Sequence, residues 1–265
     1  MKTRRILTAA TVVLPALIAF GGCAKPSLDL SYGAGEVKQY LVPAGKLKLN
    51  LSVYLPGRYG ESAEQYPVLY LLHGDGGNDR TFFGGGYPEF GGVMGDANAG
   101  LIVDRLLQER KTRPLIVVCP ALGTEEDVVR FYMPFVDATF RTLPRKESRA
   151  IAGHSMGGFN ALHLSLGHPG VFSVCGGLSA FGLSGILSEY QYSSRDFKSN
   201  PTLYWLYAGT KDQYAVARSN KDMVGFLRKK GLSTAYVEDE GDHINRIPVR
   251  LAQFIEYLSK RLSWD

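Results

Sequence analysis

The chain has 265 residues, 45% of them hydrophobic and 21% charged, a composition typical of a globular protein with a full core. Its net charge of +5 arises mainly near the N-terminus, where Lys2, Arg4 and Arg5 are the only charged residues in positions 1–22. Without that segment the net charge is +2. No polybasic patch remains, so we expect no nucleic-acid partner.

The first 22 residues have the pattern of a secretory signal. The basic start precedes an apolar run over 6–20, which is too short for a usual membrane span, and Gly21 and Gly22 provide small residues before Cys23. The ending 19–23 resembles a bacterial lipobox, which would make Cys23 the lipidated N-terminus of the mature protein. We expect an exported protein, periplasmic or at the cell surface and tethered to the membrane by this lipid. Ordinary signal cleavage is the alternative.

The remainder reads as a polar tether over 23–35 and a single α/β domain over 36–265, without internal repeats. Apolar and alternating runs predict strands at 37–42, 47–55, 68–72, 115–119, 171–176, 203–208 and 234–237, with another beginning at Ala150. Helices are predicted at 102–110, 127–142 with a kink at Pro134, 159–166, 216–230 and 247–262.

The alternation of strands and helices predicts a mostly parallel sheet with helices on both faces and an antiparallel hairpin at one edge. Cys119 and Cys175 fall on strands that are not neighbours in such a sheet. We therefore expect two buried free thiols and no disulfide between them.

The pattern Gly153-His154-Ser155-Met156-Gly157 lies between the strand at Ala150 and the following helix. G-x-S-x-G in this context is typical of a nucleophile elbow, a sharp turn that exposes the serine hydroxyl. Side chains at the two glycine positions would collide across the turn. The N-terminus of the helix would favour a developing oxyanion. The alternative is an ordinary Gly-Ser turn.

A nucleophilic serine needs a base, and elimination among the five histidines favours His243. Of these, only His243 follows both Ser155 and an acid at a strand end, in a polar loop after the last strand. The alternative is that His243 is an ordinary histidine of a surface loop, without a catalytic role. Asp212 follows an apolar strand by a short glycine turn, which makes it the favoured acid. The carboxylates between 238 and 242 remain alternatives.

Stabilisation of an oxyanion requires two N–H donors. Met156, the residue after the nucleophile, supplies one, and the loop His73-Gly74-Asp75-Gly76-Gly77 supplies the other, most naturally from the Asp75 backbone. A simple glycine turn is the alternative for this loop.

Two segments are expected to wall an open cleft rather than a lidded pocket. Residues 181–200 lack helical periodicity, and residues 84–100 contain seven glycines, so neither predicts a helical cap. The aromatic residues in these segments and directly before Gly84 would line the rim: Phe82, Phe83, Tyr87, Phe90, Phe181, Tyr190, Tyr192 and Phe197.

These stretches together resemble the putative-esterase branch of the α/β-hydrolases, which includes feruloyl and acetylxylan esterases, enterochelin esterase, S-formylglutathione hydrolase and mycolyltransferases. The resemblance covers about residues 36–262 and is carried by LLHGDGGN (71–78), PLIVV (114–118), RAIAGHSMGG (149–158), GTKD (209–212) and GDH (241–243). It implies an α/β-hydrolase fold, a Ser155–Asp212–His243 triad and an oxyanion hole at Asp75 and Met156.

The chain departs from the family pattern at two places. Phe82-Phe83 replaces a common tryptophan, and Ile244-Asn245 follows the histidine in place of Thr-Trp or a similar aromatic. Both would lie near the acyl or aryl group. We expect Phe82, Phe83 and the elbow residue His154 to contact the substrate.

The residues and the resemblance together predict a serine carboxylesterase that acts on acetyl or feruloyl-type esters of carbohydrates or on other small esters. No metal or organic cofactor is implied. An acyltransferase with the same triad, which would pass the acyl group to a sugar hydroxyl, is one alternative. A non-catalytic carbohydrate-binding or surface-interaction protein is another, because a fold alone does not fix function.

Overall fold

The structure is a computed structural model that describes residues 33–88, 94, 96–190, 192–193, 197, 199 and 201–265. The predicted signal and Cys23 lie outside these residues, as do most of the predicted tether and Phe90. Among the described helices, none has the length and apolarity needed to span a bilayer.

Eight strands and six α-helices make up the described fold. The strands are β1 (Glu36–Ala44), β2 (Leu47–Leu55), β3 (Val68–Leu72), β4 (Ile116–Pro120), β5 (Arg149–His154), β6 (Val174–Leu178), β7 (Leu203–Gly209) and β8 (Thr234–Asp239). The helices are α1 (Ala99–Gln108), α2 (Met133–Thr139), α3 (Met156–Gly167), α4 (Ser184–Tyr190), α5 (Val216–Lys229) and α6 (Ile247–Ser259).

The strands form one sheet in the order β1-β2-β4-β3-β5-β6-β7-β8. β1 pairs with β2 and β2 with β4 in antiparallel fashion, whereas every pair from β4 to β8 is parallel. The predicted architecture, a mostly parallel sheet with antiparallel strands at the N-terminal edge, is therefore confirmed.

Helices cover both faces of the sheet, as a continuous apolar strand such as β3 requires. Val68, Tyr70 and Leu72 of β3 belong to the core beneath α2, α3, α4 and α5. Leu69 and Leu71, which point the opposite way, belong to the core beneath α1 and α6. This double cover fixes β3 and its neighbours rigidly, and their carboxyl ends carry the candidate site.

The structure differs from the predicted elements in two places. The segment 181–200 contains the short helix α4, which its polar composition did not predict. The helix expected over 127–142 is a π-helical turn, Val128–Tyr132, followed by α2. Pro134 lies in the first turn of α2, where its missing N–H costs no intrahelical bond, so it begins a helix instead of kinking one.

Cys119 on β4 and Cys175 on β6 are both buried free thiols. Two strands, β3 and β5, separate β4 from β6 in the sheet. Burial raises the pKa of both thiols, to about 12 for Cys175, so both stay protonated at neutral pH.

Candidate active site

Ser155 occupies a strained turn between β5 and α3. Its backbone dihedrals are φ 56° and ψ −121°, which lie outside the regions that non-glycine residues favour. Such a conformation costs about 1–3 kcal/mol and persists only where the surroundings enforce it. The turn places the serine at the N-terminal end of α3, so the predicted elbow geometry is present.

The two glycines of the elbow are required by close backbone contacts. A Cβ at Gly153 would lie 2.2 Å from the carbonyl carbon of Gly157, and a Cβ at Gly157 would lie 2.3 Å from the carbonyl oxygen of Leu72. Real side chains do not tolerate such distances. The start of α3 is therefore packed directly against the carboxyl end of β3.

The neighbouring strand holds the elbow from the other side. The Ser155 N–H donates to the carbonyl of Leu178 at the end of β6, at 3.0 Å, and the Phe181 N–H donates to the Ser155 carbonyl at 3.1 Å. Both backbone groups of the serine are thus satisfied by the last residue of β6 and the segment that follows it, and the Ser155 side chain faces the pocket.

His243 and Asp212 form a buried pair beside this pocket. Nδ1 of His243 donates to Oδ2 of Asp212 at 2.6 Å, and the two residues are only 5% and 7% exposed. The other carboxylate oxygen, Oδ1, accepts the Tyr214 N–H at 2.8 Å. Since Nδ1 is the donor to Asp212, Nε2 of His243 is the nitrogen available to accept a proton.

The competing carboxylates are engaged elsewhere. Oδ1 of Asp242 accepts the backbone N–H groups of Ile244 and Asn245, each at 2.7 Å, and so shapes the histidine loop. The other three pair with cations: Glu238 with Lys221, Asp239 with Arg250, and Glu240 with Lys211. Of the acids considered in the sequence, the structure brings Asp212 alone onto the His243 ring within its described residues.

A close backbone approach brings the acid and histidine loops together. A Cβ at Gly209, the last residue of β7, would lie 2.0 Å from the carbonyl oxygen of Gly241. The Lys211 N–H donates to that same carbonyl at 3.0 Å. The loop after β7 and the loop after β8 are therefore held side by side, which accounts for the Asp212–His243 contact.

Asp75 and Met156 lie at the pocket, as the predicted oxyanion hole requires. Within the described part of the chain, neither backbone N–H donates to a protein acceptor. Gly74 fixes the first of these loops, because a Cβ there would lie 3.0 Å from Cβ of Ser155. The Asp75 side chain is exposed.

The pocket that contains Ser155 has a volume of about 330 Å³ and a largely aromatic wall. Tyr87 and Phe181 come from the two segments that were expected to wall the cleft, and Ile244 follows the histidine at a place expected near the acyl or aryl group. Gln213 and Tyr214 were not predicted to contact substrate. Gln213 and Tyr214 immediately follow the predicted acid, which is the sequence signal that could have identified them.

The expectation that Phe82 and Phe83 contact the substrate is not supported, because neither lines this pocket. Phe82 lies in a 3₁₀ turn, Thr81–Phe83, that directs its ring into the core beside α1, where it is fully buried. Phe83 packs against the same core. Similarly, Tyr190 and Phe197 are buried in the core beneath α4 and do not form a rim.

His154 lines the pocket, but both its ring nitrogens are occupied by protein groups. Nδ1 lies 2.7 Å from the Tyr87 hydroxyl and Nε2 lies 2.9 Å from the His243 carbonyl oxygen. Burial, followed by the neighbouring His243, lowers the pKa of His154 to about 3, so its imidazole is neutral at physiological pH.

The His243 ring lies between two other rings. Its centroid is 4.7 Å from that of His154 and 4.8 Å from that of Tyr214, with the latter in an edge-on arrangement. These contacts and the Asp212 bond restrict the ring to one orientation.

No group of three or more metal-ligating side chains occurs among the residues that the structure describes.

A second groove adjoins the pocket on the other side of Asp75 and Met156. It has a volume of about 660 Å³ and is also lined by Thr124, Glu125 and Asn160. Its lining is more polar than that of the aromatic pocket, so the two sides of the reacting centre offer different chemical surroundings.

Comparison with known proteins identifies relatives of this chain. Residues 124–221 match the family model "Putative esterase". The chain is 30% identical over 235 residues to the endo-1,4-beta-xylanase/feruloyl esterase of Xylanibacter ruminicola, an alignment that covers 80% of this chain and 29% of that protein. The chain thus spans less than a third of the length of the first curated relatives that it matches.

Solved structures extend the likeness to the whole fold. A ferulic acid esterase superposes with a TM-score of 0.74 at 19% identity, covering 85% of this chain and 98% of the other. A ferulic acid esterase from Anaeromyces mucronatus in complex with ferulic acid gives a TM-score of 0.66 at 18% identity, covering 90% and 95%.

Proposed function

Because the chain belongs to the putative-esterase branch of the α/β-hydrolases, we propose that it hydrolyses carboxylic esters through an acyl-enzyme on Ser155. The observation that carries this proposal is the convergence of three elements at one pocket. The strained Ser155 faces the same pocket as His243, and His243 is bonded to the buried Asp212 at 2.6 Å.

The proposed reaction begins when Nε2 of His243 takes the hydroxyl proton of Ser155 as its oxygen attacks the ester carbonyl. Asp212 holds the imidazole in the tautomer that makes this possible and stabilises the imidazolium that forms. The tetrahedral intermediate collapses with loss of the alcohol, which takes the proton from His243. Water then repeats the sequence, and the carboxylic acid leaves with Ser155 restored.

The backbone N–H groups of Asp75 and Met156 are the proposed donors to the oxyanion. Both lie at the pocket, and the Met156 group also belongs to the first turn of α3, where the helix dipole favours negative charge. Because Gly74 and Gly157 are packed against neighbouring backbone, these donors are held in place before the substrate binds.

The two cavities suggest how an ester would lie. The aromatic pocket of about 330 Å³, walled by Phe181, Tyr214 and Ile244, suits a short or aryl acyl group. The polar groove beyond Asp75 suits the alcohol. A relative named for xylanase and feruloyl esterase activities, and a neighbour solved with ferulic acid, support acetyl or feruloyl-type esters of carbohydrates as the substrate class.

We also propose that the protein is exported and anchored by lipid on Cys23. Support comes from the basic start, the apolar run over 6–20 and the small residues before the cysteine. Expression in a bacterium followed by mass spectrometry of the mature N-terminus tests this. A lipid-modified Cys23 at the mature N-terminus, in the membrane fraction, is expected, with Cys23→Ser released or retained as precursor. An unmodified N-terminus elsewhere would refute the lipid anchor.

The test of activity compares three proteins on p-nitrophenyl acetate and on feruloyl and acetyl sugar esters. Wild type and Ser188→Ala, which changes an exposed serine on α4, should turn over, whereas Ser155→Ala should not. Equal turnover by Ser155→Ala would contradict the proposal. Adding a sugar acceptor distinguishes the acyltransferase alternative, for which the acylated sugar would replace the free acid as the main product.

A further inference from the structure

A chain of three buried hydrogen bonds connects the loop that carries Asp75 with the loop that carries His243. The Gly74 N–H donates to the Tyr87 hydroxyl at 2.8 Å. The same hydroxyl lies 2.7 Å from Nδ1 of His154, and Nε2 of His154 lies 2.9 Å from the carbonyl oxygen of His243. This hydrogen-bond chain thus passes beside Ser155. It connects the loop of the proposed base, His243, with the loop of the proposed oxyanion donor, Asp75.

The donor and the acceptor in each of these three hydrogen bonds follow from the groups at the two ends of the hydrogen-bond chain. The His243 carbonyl only accepts, so Nε2 of His154 carries the proton. A neutral imidazole then has an acceptor at Nδ1, and Tyr87 donates to it. The hydroxyl oxygen of Tyr87 remains to accept the Gly74 N–H. Each donor meets an acceptor, and one tautomer of His154 satisfies all three bonds.

The surroundings allow this neutral form to persist. His154 is 2% exposed and Tyr87 is 3% exposed. The groups that face the imidazole are Tyr87 and the His243–Asp212 pair. A charged His154 would oppose the imidazolium that His243 must become, whereas a neutral ring 4.7 Å away does not.

We propose that Tyr87 and His154 are positioning residues that hold the His243 loop and the Gly74–Asp75 loop in register on either side of Ser155. This rests on the proposed ester hydrolysis, in which the base and the oxyanion donor must act on the same carbonyl. Asp212 orients the His243 ring, and His154 holds the backbone of the same residue. The ring and the main chain of the base thus have separate supports.

Loss of the Tyr87 hydroxyl should weaken the hydrogen bonds at both ends of the hydrogen-bond chain. The buried Gly74 N–H would lose its acceptor, and His154 would become free to adopt the tautomer that turns a lone pair towards the His243 carbonyl. Displacements of this kind lower turnover more than binding, because a shift of about 1 Å in a reacting group can reduce the rate about 100-fold.

The experiment compares two variants that each delete one buried phenolic hydroxyl. Tyr87→Phe removes the hydroxyl that takes part in the hydrogen-bond chain. Tyr70→Phe removes a buried hydroxyl that has no hydrogen-bond partner in the described part of the structure. Active sites are titrated with a fluorophosphonate, and kcat is expressed per titrated serine. A structural lesion lowers the number of titratable sites, and a positioning lesion lowers kcat at each remaining site.

We expect kcat per site to fall by about 10- to 100-fold in Tyr87→Phe, with KM within about threefold of wild type. Tyr70→Phe should stay within about twofold of wild type on both parameters. Wild-type kcat in Tyr87→Phe, or an equal loss in the two variants, would overturn the proposal.

A second pair of variants tests His154 directly. The glutamine amide offers an N–H donor and a carbonyl acceptor at its end. The kcat of His154→Gln should therefore exceed that of His154→Leu by at least about tenfold. Equal kcat in the two would refute the hydrogen-bonding role.

Nitrogen NMR of histidine-labelled wild type provides a readout independent of turnover and of any folding defect in the variants. His154 should show the Nε2–H tautomer and should not titrate between pH 5 and pH 9. Titration in that range, or the Nδ1–H tautomer, would overturn the proposal even if the enzyme is active. Absence of ester turnover with the expected tautomer would refute the proposed hydrolysis and leave the hydrogen-bond assignment standing.

Discussion

Nδ1 of His243 and Oδ2 of Asp212 are 2.6 Å apart, although the two residues are 31 positions apart in the chain. The contact is buried and is made by the loops that follow β7 and β8, which Gly209 and Gly241 allow to touch. In a parallel sheet the carboxyl ends of neighbouring strands share one edge, so this pairing is a direct result of the strand order.

Replacing Asp212 with asparagine should lower kcat by about 10⁴, because the amide no longer fixes the tautomer of His243, as in other Ser-His-Asp sites. Steady-state kinetics on a p-nitrophenyl ester measure the change. Asp222→Asn on α5, an exposed carboxylate, is the matched control and should retain wild-type kcat. Near-wild-type activity in Asp212→Asn would assign the acid elsewhere.

Replacing Asp75 with asparagine should leave kcat within about threefold of wild type, whereas loss of a true oxyanion donor costs about 100- to 1000-fold. The reason is that the proposed donor is the backbone N–H, which the substitution keeps, while the exposed carboxylate is removed. A loss of 100-fold in Asp75→Asn with normal folding would show that the side chain itself takes part.

Substituting alanine for Gly157 should destabilise the fold by about 3 kcal/mol and abolish activity, because the new Cβ would lie 2.3 Å from the Leu72 carbonyl oxygen. Gly225→Ala on α5 is the matched control. Nothing lies within 4 Å of its added Cβ, so it should stabilise the helix by up to about 1 kcal/mol. Urea denaturation compares the two, and equal effects would contradict the packing argument.

His163 should make stability depend on pH. Its two nitrogens contact Glu125 and Glu189, and these hydrogen bonds, that of Glu125 first, raise its pKa to about 9. A raised pKa means that the stabilisation is complete below about pH 6.5, the value of the unfolded chain, and is lost as the pH rises through 9.

The measurement compares the free energy of unfolding of wild type and His163→Gln at pH 6 and pH 10. Wild type should be more stable at pH 6 by up to about 1 kcal/mol, since the cluster is partly exposed, and the difference should vanish at pH 10. His168→Gln loses a single pair with Glu126 that is more exposed to solvent. Its difference from wild type in the free energy of unfolding should be smaller. A His163 difference that grows with pH would contradict the assignment.

Sequence reasoning located the strands and long helices because their apolar patterns have a clear period, and buried runs such as β3 are distinctive. It missed α4 because that helix has only seven residues, too few to show a helical period within a mostly polar segment. It placed the elbow and the Asp212–His243 pair because glycine turns and strand ends constrain the backbone there.

The direction of individual side chains was harder to predict. Phe82 lies close in sequence to the loop of Asp75, but a 3₁₀ turn buries its ring in the core. His154 was expected to contact substrate, yet its nitrogens bond Tyr87 and the His243 carbonyl. Both outcomes depend on tertiary neighbours that are remote in sequence, and local pattern carries no information on them.

The most direct test of the central claim is to trap the acyl-enzyme. Wild-type protein is mixed with p-nitrophenyl acetate, quenched in acid during turnover, digested and examined by mass spectrometry. We expect one acetyl group on the peptide that contains Ser155, and none on that peptide in Ser155→Ala. Continued turnover with the acetyl group on another residue, or with Ser155 never acylated, would contradict it.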